Sequence, residues 1–345
     1  SSRPHKQVNT IQQIDSVVAM WRTLTTQRSY DDYFDEMLAA SQRIDSTLLT
    51  DSMDSVYVAR MNLIMTPIPL KYNHEVRAAI ERFTSKGYEQ SMGYAYYYFP
   101  MIEAEFIKAG IPIELRTLAF IESALNPLAR SKSGAMGLWQ FMPTTGKNLG
   151  LEINSLVDER CDIVLSTRAA CKYLKYLYNT FGDWALALAA YNAGPGRISR
   201  ALARSGGAKT YWDIYYDLNA VTRGYVPKFI AASYAYTYHQ QHNITPHSSP
   251  ECIATDTVTI HRTMHLGQVA STLGIPIETL KILNPQYKID IIPAARKPYA
   301  LRLPTNYIAQ FIDKQDEIYS KDSLYLKEYI NPANLDKKRA EGIGY

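Results

Sequence analysis

The sequence predicts a mainly α chain that ends in a small βααβ module, and three observations carry this expectation. Apolar residues recur at helical spacing from Val8 onward, with almost no alternating period between residues 68 and 242. The Pro- and Ser-bearing stretch HNITPHSSPEC then changes the texture, as a linker does. Beyond it two alternating runs, DTVTIHR and KPYALRLP, bracket two short helical ones, MHLGQVASTLG and PIETLKILNP.

Taken in order, IQQIDSVVAMWRTL and YDDYFDEMLAASQRI read as amphipathic helices, so residues 1–67 are expected to form a helical N-terminal extension. The segment MTPIPLKYN breaks that pattern with two prolines. Asn73 is expected to cap the helix HEVRAAIERFTSK, which Gly87 stops. Next come PMIEAEFIKAG, then PIELRTLAFIESALN, opened by Pro112 in its first turn and closed before Pro127. STRAACKYLKYLYNTFG, DWALALAAYNAG with Asp183 as its cap, and the Tyr-rich TRGYVPKFIAASYAYTYHQ complete a main domain at residues 68–245. The module occupies 254–304, and 305–345 is a charged tail with two Tyr-containing helical stretches that packs on the chain or frays.

Composition narrows the function classes. The 345 residues suffice for two ordinary domains, and no apolar run approaches the roughly 20 residues that span a bilayer. A net charge of +4 spread along the chain leaves no nucleic-acid footprint. The 27 tyrosines suit the faces and hydroxyls of sugars, and equally suit half-buried helix packing. Cys161, Cys171 and Cys252 form no CxxC pattern, so neither a zinc site nor a thioredoxin-type motif is expected. Cys161 and Cys171 flank the start of one helix, where a disulfide is possible only with a bent approach, and free buried thiols are the favoured of the two readings. His261 and His265 straddle a strand-to-helix turn with no partner at metal spacing, and they read as ordinary polar residues. The opening SSRPHKQ has no basic and apolar leader, which leaves a cytosolic chain and one that has lost its signal both open.

Glu122 is the residue that stands out. Leu115, Leu118, Ala119 and Glu122 fall at i, i+3, i+4 and i+7, so the carboxyl shares a helix face with apolar residues. Desolvation there raises a carboxyl pKa; raising it by about two would cost the charged form ~2.7 kcal/mol near neutral pH. An acid still protonated near neutrality can protonate the oxygen of a glycosidic bond as it leaves. The alternative is a structural ion pair with Arg116, Arg130 or Lys132.

Around that acid lie IESALNP, SKSGAMGLWQFMP, ALAAYNAGPG and TRGYVPKF. In this order and spacing they resemble the lytic murein transglycosylases of the goose-type lysozyme superfamily (glycoside hydrolase family 23), and most closely the D-type membrane-bound ones. The resemblance implies a lysozyme-like helical catalytic domain in which Glu122 is the single general acid and base. It makes Ser123, Gln140, Tyr191, Asn192 and Tyr225 substrate-binding residues. Trp139 stands where many relatives carry Met and is either an apolar floor for a sugar or a core side chain. Gly134 and Gly137 suit a backbone that approaches a ligand or takes positive φ, or plain turns. Val221 departs from the acidic residue that more often opens the fourth motif.

The expected reaction is cleavage of the MurNAc-β-1,4-GlcNAc bond of peptidoglycan with closure of the muramic 6-hydroxyl on C1, giving a 1,6-anhydro end. No metal or organic cofactor is called for. The C-terminal module is similar to a LysM, through LGQVASTLGIPIETLKILNP and LRLP, although Thr263-Met264-His265 replaces the usual Gly-Asp-Thr. Peptidoglycan glycan strands are the expected partner. The expected location is the cell envelope, in the periplasm or anchored to the outer membrane through a removed signal or lipid anchor, as a monomer. A lysozyme-like hydrolase and a non-catalytic peptidoglycan-binding scaffold remain the competing readings.

Overall fold

The computed structural model describes residues 52–66, 68–246 and 254–327. In chain order its elements are α1 (Ser52–Met61), α2 (His74–Phe83), α3 (Glu89–Ala109) and α4 (Thr117–Ser123), the last entered through a 3-10 turn at Ile113–Arg116. They continue with α5 (Pro143–Asn148), α6 (Ile163–Phe181), α7 (Trp184–Ala193), α8 (Pro195–Arg204), α9 (Ala220–Arg223) and α10 (Tyr225–Tyr238). The last part holds β1 (Thr255–Ile260), β2 (Met264–His265), α11 (Leu266–Leu273), α12 (Ile277–Leu283), β3 (Ile291–Ile292) and β4 (Tyr299–Pro304). Three short helices follow: α13 (Ile308–Asp313), α14 (Gln315–Ser320) and α15 (Asp322–Tyr325). The chain is mainly α with a small strand-bearing module, as its periodicity predicts. The helices expected in residues 8–51, and Cys252, lie outside the described residues.

The chain forms two compact units, each discontinuous in sequence. One holds the residues up to Leu125 with those from Ala170 to the linker; the other holds Asn126–Ala169 with the residues after the linker.

In the first unit α10 packs against α2, α4 and α7. Val226, Phe229, Ile230 and Tyr234 of α10 are wholly buried there, as are Val76 and Ile80 of α2. Asn73 caps α2, its side chain accepting the Val76 N–H at 2.9 Å. Helix α7 has no polar face: Ala185 through Ala190 are all buried, and Asp183 anchors its start by accepting from the Leu186 N–H at 2.7 Å.

Helix α3 departs from expectation, because it begins at Glu89 and carries Pro100 inside it. A proline there removes one helical hydrogen bond and costs about 3 kcal/mol. Tyr98, Phe99 and Ile102 on the flanking turns are all buried, and at about 1.5–3 kcal/mol each their burial outweighs that cost. Helix α8, not anticipated from the pattern, starts with Pro195 in its first turn straight after the Gly194 break.

In the second unit β1 and β4 pair antiparallel from Thr255↔Pro304 to Ile260↔Tyr299, and β2 and β3 add a two-residue pair. Ile260, Met264, Leu266, Val269, Leu280, Ile292, Leu301 and Leu303 build the module's core. Phe311 of α13 and Ile318 of α14 join that core, so the tail packs on the module through both helices. Val157, from the segment ahead of α6, joins it as well.

His265 is more than an ordinary surface residue, because it caps α11. Its Nδ1 accepts from the Gly267 N–H at 2.9 Å, while Gln268 Oε1 accepts from the His265 N–H at 2.7 Å. The imidazole, stacked on Tyr325, thus does the capping that an Asp or Thr does elsewhere. Cys161 and Cys171 are free and buried.

Candidate active site

Glu122 sits in the last turn of α4, on the side of Leu118 and Ala119, both wholly buried. The helix stops just past it, earlier than the sequence suggests, because Ala124 and Leu125 adopt φ of 52° and 63°. Two consecutive non-glycine residues in the left-handed region store strain of the kind that collects at functional sites. Their N–H groups still bond, Ala124 to the Phe120 carbonyl at 2.9 Å and Leu125 to the Ala119 carbonyl at 3.3 Å.

The residue as a whole is half-buried, yet desolvation of its carboxyl pushes the pKa from 4.5 up to about 7. Two partners on α10 oppose that rise: the Tyr225 hydroxyl, which donates to Glu122 Oε1, and the positive charge of Lys228. Lys228 lies one turn beyond Tyr225 on the same helix face. Among the described residues no other carboxylate is among the groups that shift Glu122. Arg116, one cation considered from the sequence, pairs instead with Glu103 at 3.2 Å and lies over the rings of Phe99 and Tyr236.

Tyr191, in the last turn of α7, is close enough for the Glu122 charge to act on it. Burial first, then that charge and Tyr173, push its phenol well above the ordinary value, so it stays a neutral hydrogen-bonding group. Tyr225 is buried and shifted in the same direction by burial, Glu122 and Tyr191. The first unit therefore brings Glu122, Tyr191 and Tyr225 together. Asn192 is exposed, and its Oδ1 accepts from the Thr222 hydroxyl at 3.1 Å. Thr222 is itself held where Asn219 caps α9, at 3.0 Å from its N–H. Ser123 is buried with its hydroxyl bonded to the Ala119 carbonyl at 3.0 Å.

Gln140 and Trp139 belong to the second unit. Gln140 has φ of 48°, and its side-chain amide donates to the carbonyls of Ala129 and Gly137, both at 2.9 Å. Trp139 is 0% exposed, with its indole N–H bonded to Thr167 at 3.1 Å, so of its two readings this structure gives it the packing one. Gly134 and Gly137 both take positive φ, and a Cβ on Gly137 would lie 1.9 Å from the Arg160 carbonyl oxygen. Only glycine fits there.

Three partners escaped the sequence reading: Lys228, Thr222 and Arg160. The first two stand inside the stretch TRGYVPKF, where helical spacing from Tyr225 singles out Lys228. Arg160 gave no signal, because apart from the neighbouring Asp158 its partners are backbone carbonyls distant in sequence.

Residues 100–214 match the family described as Transglycosylase SLT domain. Residues 254–320 match that described as Lytic transglycosylase MltD, LysM-like domain. The two matches follow one another along the chain in this order. It is 33% identical over 208 residues to membrane-bound lytic murein transglycosylase D of Escherichia coli K12, which covers 59% of this chain and 46% of that protein. It is 35% identical over 123 residues to the soluble lytic murein transglycosylase of the same strain, 34% of this chain and 19% of that one. The crystal structure of the 70 kDa soluble lytic transglycosylase of Escherichia coli aligns over 68% of this chain and 44% of its own, at 22% identity and a TM-score of 0.38. The chain spans less than half the length of the D-type relative.

Proposed function

We propose that this chain is a peptidoglycan lytic transglycosylase that cleaves the MurNAc-β-1,4-GlcNAc bond without water, leaving 1,6-anhydroMurNAc ends. The observation that carries the proposal is Glu122: one desolvated carboxyl whose pKa is pushed up to about 7, bonded by Tyr225 and, among the described residues, with no second carboxylate among the groups that shift it. The relatives named as lytic murein transglycosylases support the same substrate class.

In the first step the protonated Glu122 gives its proton to the glycosidic oxygen as the bond from C1 breaks. Positive charge then builds on the sugar ring beside the newly formed carboxylate. In the second step the 6-hydroxyl of the same sugar adds to C1, and its proton returns to Glu122. No water is consumed and the acid is regenerated. A hydroxyl tethered beside the reacting carbon has a high effective concentration, so one carboxyl suffices where most glycosidases need two.

Tyr225 and Lys228 stabilise the carboxylate between the steps, while desolvation stabilises the acid; the two influences balance near neutral pH. Ser123, Gln140, Tyr191 and Asn192 are the proposed substrate contacts. Trp139 supports the Gln140 loop from within. The proposed organisation is an N-terminal extension at 1–67, most of it outside the described residues, a catalytic domain at 68–245, the LysM-like module at 254–304 and the tail beyond. The proposed setting is the cell envelope, with a monomeric chain. Among the described residues no helix is long and apolar enough to cross a membrane.

The test is digestion of purified peptidoglycan by the wild type and by Glu122→Gln. Soluble muropeptides are expected from the wild type alone; equal release by the variant would remove Glu122 from the reaction.

A further inference from the structure

The Gln140 loop is held from below by a buried ion pair. Asp158 and Arg160, both buried, meet through two parallel hydrogen bonds, Nε to Oδ1 at 2.9 Å and Nη2 to Oδ2 at 2.7 Å. That fork fixes the guanidinium plane. The remaining nitrogen, Nη1, donates to the carbonyls of Gly134 and Phe141, both at 2.9 Å. Those two carbonyls bracket the loop whose strained residue is Gln140. The Arg160 backbone oxygen also lies against Gly137, where a Cβ would not fit.

The same short segment is bound on its other side by the LysM-like module. The Asp158 N–H donates to the Gln286 carbonyl at 2.9 Å, and the Lys288 N–H to the Leu156 carbonyl at 2.9 Å. Lys288 Nζ reaches the Asn154 carbonyl at 2.6 Å. Glu152 pairs with Lys297 at 2.5 Å and accepts from the Tyr299 hydroxyl at 2.8 Å. Val157 is wholly buried in the module's own core. Strand-like backbone pairing, ion pairs and a shared core leave this module no tether-like freedom from residues 152–160.

We propose that the LysM-like module is a structural buttress of the Gln140 loop, and that Asp158 and Arg160 are the positioning residues through which its docking is transmitted. A module that gripped glycan on a flexible tether would need none of these contacts. A loop that must hold a non-glycine residue at positive φ needs external support, and this one draws it from a segment that is itself packed into the module. That Gln140 serves the reaction rests on the function proposed above; the mechanical link does not.

The test is hydrogen–deuterium exchange on the full chain, comparing the wild type, Arg160→Lys, Lys297→Ala combined with Tyr299→Phe, and the charge swap Glu152→Lys with Lys297→Glu. With the module contact weakened, amides of residues 134–141 are expected to exchange about tenfold faster, while α7 in the other unit is unchanged. Arg160→Lys, which keeps the charge and loses the fork, is expected to loosen the same loop, and the swap to restore it. Muropeptide release is expected to fall in step with loop exchange. Faster exchange at 152–158 and 297–301 with no change at 134–141 would overturn the proposal, as would Arg160→Lys with a wild-type loop. Should Arg160→Lys not fold, the swap series decides alone. Absence of any product from the wild type would sink the transglycosylase reading and leave the exchange result standing.

Discussion

Glu122 was legible as an anomaly because helical spacing put it on an apolar face, and the structure bears out that its carboxyl is desolvated. Its two modulators were not legible in that way. Tyr225 stands 103 positions away, and Lys228 becomes meaningful only once α10 packs on α4. Their influence has a definite sign. The first step needs the protonated acid, so kcat/KM is expected to fall as pH rises through about 7. Tyr225 donates to the carboxylate and lowers its pKa, so Tyr225→Phe should move that limb to higher pH whatever it does to the maximum rate. Lys228→Met should move it the same way. A limb that stays put, or moves down, would mean that another group titrates.

At the scale of elements, capped and strongly periodic helices could be read from sequence, as Asn73 and Asp183 show. What failed was punctuation. Pro100 signals a helix start locally, and only the burial of its neighbours explains a helix running through it. The second glycine of GAMGLWQ left a plain turn as good as an approach to a ligand or a positive φ; the structure shows a positive φ with the backbone pressed against the chain's own Arg160 carbonyl. Gly137→Ala combines a positive φ with a 1.9 Å overlap and is expected to destabilise the chain by more than about 3 kcal/mol, read as a drop in thermal midpoint. A variant with wild-type stability would show that the loop is free to move.

The His265 cap makes a pH prediction. Burial holds its pKa below the ordinary 6.5; Asp290 opposes that shift and Lys281 reinforces it. A histidine depressed in this way contributes stability that is full above about 6.5 and is lost as pH falls towards its lower folded value. Nδ1 can accept from Gly267 only while unprotonated, which gives the same sign. His265→Asn keeps a capping acceptor that does not titrate there. Melts of the module between pH 7 and 5 should slope for the wild type and flatten for the variant; parallel slopes would remove His265 as the cause.

At the scale of the whole molecule, the linker HNITPHSSPEC divides stretches that belong to different units, but the second unit does not begin there. The second compact unit joins residues on both sides of it. No local pattern predicts this, since Val157 and Glu152 find their partners more than a hundred positions along the chain. Ending the chain at the linker would expose Leu156 and Val157 and strip Glu152 of Lys297 and Tyr299. The shortened protein is expected to melt lower and aggregate more readily than the full chain, measured by circular dichroism and light scattering. An unchanged melt would show that the module adds nothing to the rest.

The central claim is that one buried carboxyl and a sugar hydroxyl do the chemistry without water. Mass spectrometry of muropeptides released in water enriched in heavy oxygen tests it most directly. New ends one water lighter than reducing ends, and free of heavy oxygen, are expected. Reducing ends that carry the label would contradict it and make the protein a hydrolase.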